Sequence, residues 1–160
     1  MEKLSHLNTR MISIMESIAR SEGISPNAGK ILGYLIMSAA PVPFGDLAQR
    51  LKISRGSVSE NTRLLIEQGV IERVAVPESR KDHYRVRDDA HTSLLERRRR
   101  LTQEVITDLR DLQKDLPRTS FQRDRLEGVE QFLSASLIAA GVLETQYDMA
   151  KNGMKAEASA

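Results

Sequence analysis

Hydrophobic residues recur at three- and four-residue steps along most of the chain, which predicts amphipathic helices. The first helix is predicted over residues 3–21. A second begins after Ser25, which supplies a capping hydroxyl, with Pro26 at the first helical position. It closes before Pro41, and a short helix with one apolar face follows over Phe44–Leu51.

The middle of the chain changes from helical to strand-like patterning. Ser54 is a second capping serine and opens a helix that runs to Gln68. The β-branched run 70–76 predicts a strand, residues 77–82 a polar turn, and residues 83–87 a return strand. This order predicts a helix-turn-helix followed by a two-stranded wing.

Two long helices are predicted after the wing. The first has an apolar stripe over residues 94–116, and the second starts at Ser120. We expect a mainly α fold with a small β-wing. Its predicted parts are an N-terminal dimerisation helix (1–21), a winged helix-turn-helix domain (22–87), a C-terminal helical dimerisation region (88–149) and a flexible tail (150–160).

Composition narrows the classes of function. Of the 160 residues, 40% are hydrophobic and 29% charged, as in ordinary globular proteins. There is no cysteine, the three histidines are far apart, and no nucleophile or phosphate-loop motif occurs, so we expect no metal, no cofactor and no enzyme. The longest uncharged stretch has 15 residues and contains two prolines. We therefore expect a cytoplasmic protein with no membrane partner.

The net charge of +2 hides two local basic clusters. Residues 50–63 hold four cations against one carboxylate, and so do residues 80–87. Two such clusters on a nearly neutral chain indicate a local site for a polyanion.

The helix after Ser54 has two contrasting faces. One holds apolar or short side chains that can pack on the preceding helix, and the other is small and polar, which suits entry into a major groove of DNA. The predicted groove contacts are Ser54, Arg55, Ser57, Ser59 and Arg63. The predicted wing contacts are Arg80, Lys81 and Arg85. A solvated helix in a bundle is the alternative, but it does not explain a basic wing.

The chain resembles winged helix-turn-helix regulators of the MarR superfamily, and within it the GbsR branch. The resemblance rests on the segments Phe44–Ala48, Ser54–Ser59, Arg63–Ile71 and, for the GbsR branch, Ser79–Tyr84. It implies a homodimeric DNA-binding regulator with terminal helices at the dimer interface, often controlled by a small molecule.

Three features stand apart from this pattern. Pro43 occupies a position where a capping serine or threonine is common, and Glu60 lies on the expected groove face. We expect Glu60 to bridge to Arg63 or Arg55, rather than to read a cytosine. The four side chains of Arg97–Arg100 project in different directions around their helix. We therefore expect them to be solvated and to pair with nearby carboxylates. The alternative is that some of them bind DNA or an anionic effector.

The sequence thus predicts a double-stranded DNA-binding transcriptional regulator. We expect a homodimer that represses by covering a promoter, with a small-molecule effector left open. A winged-helix adaptor that binds an acidic protein, and an enzyme of unrecognised type, are the alternatives.

Overall fold

The computed structural model describes residues 2–158, with side chains over residues 5–152. The described chain forms helices α1 to α6 and strands β1 to β3. In chain order they are α1 (Glu2–Ser21), α2 (Pro26–Ile36), β1 (Val42–Pro43), α3 (Phe44–Leu51), α4 (Arg55–Glu67), β2 (Ile71–Val74), β3 (His83–Val86), α5 (Ala90–Lys114) and α6 (Phe121–Ala158). The mainly helical fold with a small sheet is as predicted. The chain divides into two units, Met1–Ser93 and Leu94–Ala160.

The sheet has three strands rather than the two that the sequence predicts. Strand β3 lies in the middle and pairs antiparallel with both neighbours. The strand that sequence patterning missed is β1, where Val42 pairs with Tyr84 and Pro43 with His83. Proline lacks the N–H that an inner strand needs, so it suits this edge position.

Pro43 also stands at the N-cap of α3, where it offers no capping side chain. The wing compensates, because the backbone N–H of Phe44 donates to the carbonyl oxygen of Asp82 at 2.9 Å. An orphan donor of the first turn is thereby satisfied, and α3 forms as predicted.

The core of the first unit lies between α2, α3, α4 and the sheet. Its most deeply buried side chains are Ile31, Leu47, Val58 and Ile71, one from each of these elements. Each such burial contributes about 1.5–3 kcal/mol relative to an exposed side chain. The core therefore holds α4 on a rigid base.

Helix α1 packs against α2 at two glycines. A Cβ at Gly29 would overlap the carbonyl oxygen of Met15, and a Cβ at Gly33 would lie 2.8 Å from the Cα of Ile12. Only glycine permits this approach of the two backbones. Helix α1 is therefore part of the first unit.

The two serine caps differ from each other. Ser54 caps α4 as predicted, since its hydroxyl accepts the N–H of Ser57 at 3.1 Å. Ser25 occupies the N-cap of α2 with Pro26 after it, but its hydroxyl makes no capping bond. The N–H of Ala28 donates instead to the carbonyl oxygen of Ser25 at 3.0 Å.

Helices α5 and α6 form the second unit beyond Ser93. Arg110 and Glu130 join them through an ion pair of 2.7 Å. Ser120 sits just before α6, and its hydroxyl accepts the N–H of Arg123 at 3.3 Å. The backbone of α6 continues past Met149 to Ala158, so the helix does not end where the small, polar composition begins.

One segment in the described part of the chain, Phe121–Asn152, is long and apolar enough to cross a membrane by length and composition. No part of its most apolar window is buried. Glu144 and Asp148 lie within the segment. A single helix of this kind is weak support for a membrane partner.

Candidate nucleic-acid interface

The outer face of α4 is exposed and polar, as its periodicity predicts. Val58, Asn61, Thr62 and Leu65 are the buried residues of this helix. Gly56, Ser59, Glu60 and Arg63 are exposed on the other side. The described residues offer no hydrogen bond or ion pair to the side chains of Ser59 and Arg63, which leaves both available to a ligand.

The first turn of α4 combines a capped N-terminus with a positioned cation. Ser54 occupies the cap, and the positive end of the helix dipole favours an anion nearby. The guanidinium of Arg55 lies over the ring of Phe44, 5.0 Å from its centroid. Such a cation–π contact is worth about 0.5–1 kcal/mol at an exposed site, so it orients Arg55 without holding it permanently.

Ser57 differs from the other predicted groove residues. Its hydroxyl is partly buried and accepts hydrogen bonds from Nδ2 of Asn27 at 2.8 Å and Nδ2 of Asn61 at 3.2 Å. Ser57 is thus bonded towards α2. The sequence analysis did not identify Asn27 as part of this site. The signal for a polar partner was Asn61 on the buried face of α4, because a buried amide requires hydrogen-bond partners.

The bridge expected from Glu60 is absent. Among the described side chains, no ion pair joins Glu60 to Arg55 or Arg63. Arg55 stacks on Phe44 instead. An exposed ion pair is only slightly more stable than two separately hydrated charges. The absence of this bridge therefore costs α4 little stability.

The wing presents two cations without ion pairs in the described part of the chain. Arg80 and Lys81 are exposed in the turn between β2 and β3. By contrast, Nε of the third predicted contact, Arg85, lies 2.7 Å from Oε1 of Glu72 on the paired strand. The cations available to a polyanion are therefore Arg80 and Lys81 in the turn between β2 and β3, which we call the wing tip.

The structure of the tip is held by local contacts. A ring nitrogen of the buried His83 lies 2.8 Å from the carbonyl oxygen of Lys81. Asp82 pairs with Arg73 on β2 at 3.3 Å. Beyond β3, the guanidinium of Arg87 donates to Asp89 and lowers the pKa of that carboxyl to about 2. These contacts leave Arg80 and Lys81 as cations without an ion pair among the described side chains.

The arginine run on α5 borders a cleft within the second unit. Nη1 of Arg99 lies 3.9 Å from Oε2 of Glu144, so its carboxylate partner comes from α6. The side chains that line the cleft are Glu96, Arg99, Arg100, Gln103, Glu104, Thr107, Asp108, Leu137, Ile138 and Glu144. Carboxylates outnumber guanidinium groups there, which does not favour an anionic effector.

Among the side chains of residues 5–152, no group of three or more histidine or acidic residues is placed to hold a metal ion.

Three comparisons bear on this site. Residues 22–82 match the family model of the MarR family. The HTH-type transcriptional regulator MmpR5 of Mycobacterium tuberculosis is 37% identical over 71 residues, which are 44% of this chain and 43% of that protein. The chain therefore spans less than half the length of this curated relative. A crystal structure of a transcriptional regulator is 26% identical with a TM-score of 0.74, covering 89% of this chain and 98% of that one.

Proposed function

We propose, from the match of residues 22–82 to the family model of the MarR family, that this protein is a winged-helix regulator that binds specific double-stranded DNA and controls transcription. The observation that supports this most strongly is the pairing, in one domain, of an exposed polar face on α4 with unpaired cations at the wing tip. As part of the same proposal, we place the protein in the cytoplasm.

The proposed binding mode follows from these two surfaces. Helix α4 enters the major groove with its N-terminal turn first, so that Arg55 and Ser59 reach base edges. Arg63 contacts the backbone, and Arg80 and Lys81 lie against phosphates that flank the groove. The cap at Ser54 adds a helix N-terminus suited to a phosphate.

We propose that the active form is a homodimer that represses by covering a promoter. Apolar side chains of α5 and α6 are widely exposed, including Leu112, Phe132 and Ile138. Surfaces of this kind usually mark an interface. Two copies would present two α4 helices to successive major grooves. The likeness of Ser79–Tyr84 to GbsR wings supports placement in that branch, and control by a small-molecule effector belongs to the same proposal.

A salt titration tests DNA binding and the wing together. The wild type is titrated with a duplex at about 50 and about 200 mM salt, where a protein with many phosphate contacts loses orders of magnitude in affinity. The double variant Arg80→Ala, Lys81→Ala should bind every duplex more weakly, with a salt slope reduced by about one unit for each lost phosphate contact in each half-site. Its melting temperature should match the wild type.

The control variant Arg110→Ala, Lys114→Ala makes the same change in charge on α5, where both cations are already in ion pairs. It should keep the wild-type slope. A wild type that binds no duplex at low salt contradicts the proposed DNA binding. That result favours the alternative of a winged-helix adaptor that binds an acidic protein. If the wild type binds DNA and the wing variant binds it with the same affinity, the wing does not contact DNA.

A further inference from the structure

A cluster of three polar side chains joins the start of α2 to the start of α4. Nδ2 of Asn27 donates to the hydroxyl of Ser57 at 2.8 Å, across thirty residues of sequence. Nδ2 of Asn61 donates to the carbonyl oxygen of Ser57 at 2.7 Å and lies 3.2 Å from its hydroxyl. Asn61 is 3% exposed. The cluster therefore lies at the edge of the core.

These hydrogen bonds constrain the orientation of α4 in a way that the neighbouring apolar contacts do not. Val58 and Leu65 hold α4 on the core, but apolar contact is non-directional and tolerates small rotations of a helix. A hydrogen bond has a narrow range of distance and angle. The bond from Asn27 is therefore suited to fix the rotation of the first turn of α4 relative to α2.

Helix α2 is itself a firm support. It is held on its other side by the close approach of Gly29 and Gly33 to the backbone of α1. Ser57 also donates its N–H to the cap at Ser54, so its backbone and side chain are both engaged. The first turn of α4 is thus connected by polar contacts to a helix that cannot easily shift.

We propose that Asn27 is a positioning residue for base recognition, acting through Ser57 without touching DNA. This inference rests on the proposed function. Contacts to base edges need correct alignment, whereas contacts between flexible cations and phosphates tolerate small shifts. Loss of the Asn27 bond should therefore reduce discrimination between sequences more than it reduces general affinity for DNA.

The test compares two affinities for each protein. An operator is selected from a random duplex pool with the wild type, and affinities are measured for it and for a scrambled duplex of equal length. Asn27→Ala should lower the ratio of the two affinities about three- to tenfold, the range for one lost hydrogen bond. Affinity for the scrambled duplex should stay within about twofold, because phosphate contacts remain.

A double variant shows whether Asn27 acts through Ser57. Ser57→Ala removes the acceptor, so adding Asn27→Ala to it should lower the ratio no further. The control is Ser38→Ala, which deletes a hydrogen bond of 2.8 Å to Tyr34 next to the end of α2 and does not involve α4. It should keep the wild-type ratio. Melting curves show whether each variant folds. If Asn27→Ala does not fold, Asn27→Ser is used in its place, because the serine side chain is too short to reach Ser57.

The failures are distinguishable. A wild type that selects no sequence overturns the proposed function, and the positioning role with it. If the wild type discriminates but the Asn27 variants keep its ratio, only the positioning role is overturned. The same holds if operator and scrambled duplex are weakened equally.

Discussion

At the residue scale, three side chains of α4 differ in what already engages them. Arg55 stacks on Phe44, whereas Ser59 and Arg63 have exposed side chains on the outer face. A side chain held near the N-terminal end of the helix is better placed to read a base than one two turns further along. The three positions should therefore respond differently to truncation.

We expect alanine at Arg55 or at Ser59 to cost about 1–3 kcal/mol on an operator and to relax preference at one base pair in each half-site. Arg63→Ala should weaken binding to all sequences alike, because a phosphate contact carries no sequence information. Affinities for an operator and its single-base variants distinguish the two patterns. Three variants with wild-type affinity and preference would show that α4 is not the reading helix.

At the scale of elements, the contact between α1 and α2 depends on glycine. Gly29→Ala places a methyl group against the carbonyl oxygen of Met15, so one backbone must move. Overpacking of this kind costs about 1–3 kcal/mol, which exceeds the roughly 0.5–1 kcal/mol that alanine gains in a helix. Urea unfolding should show the loss. Gly45→Ala is the control, since a Cβ there meets nothing within 4 Å. Equal stability of the two variants would contradict the close approach.

At the scale of the whole molecule, the proposed homodimer makes a direct prediction. Sedimentation at micromolar concentration should give twice the chain mass of 17.9 kDa. Phe132 and Ile138 are 70% and 71% exposed, so the double variant Phe132→Glu, Ile138→Glu should shift the mass towards one chain. Charge placed in an apolar interface is strongly unfavourable, and binding to two half-sites should be lost with the dimer.

The control for that measurement is Gln49→Glu on α3, which adds one charge at an exposed position of the first unit. It should sediment as the wild type does. A wild type that sediments as a clean monomer would remove the mechanism with two half-sites, whatever the DNA affinity of a single chain.

The helices of this protein follow from local patterning. The buried face of α4 and the hydroxyl cap at Ser54 depend on residues within a few positions of each other, so the periodicity and the capping signal were enough to predict them. The exposed cations of the wing tip, Arg80 and Lys81, were predictable for the same reason, since a polar turn between two strands is exposed.

Only the tertiary structure decided the contacts between distant segments. Strand β1 exists because β3 is there to pair with it, since two residues are too few to signal a strand. Asn27 meets Ser57, and Glu72 meets Arg85, only once the core has brought their elements together. The sequence by itself therefore determined which face of α4 is exposed, and the packed fold determined which polar side chains on and around that face are already engaged.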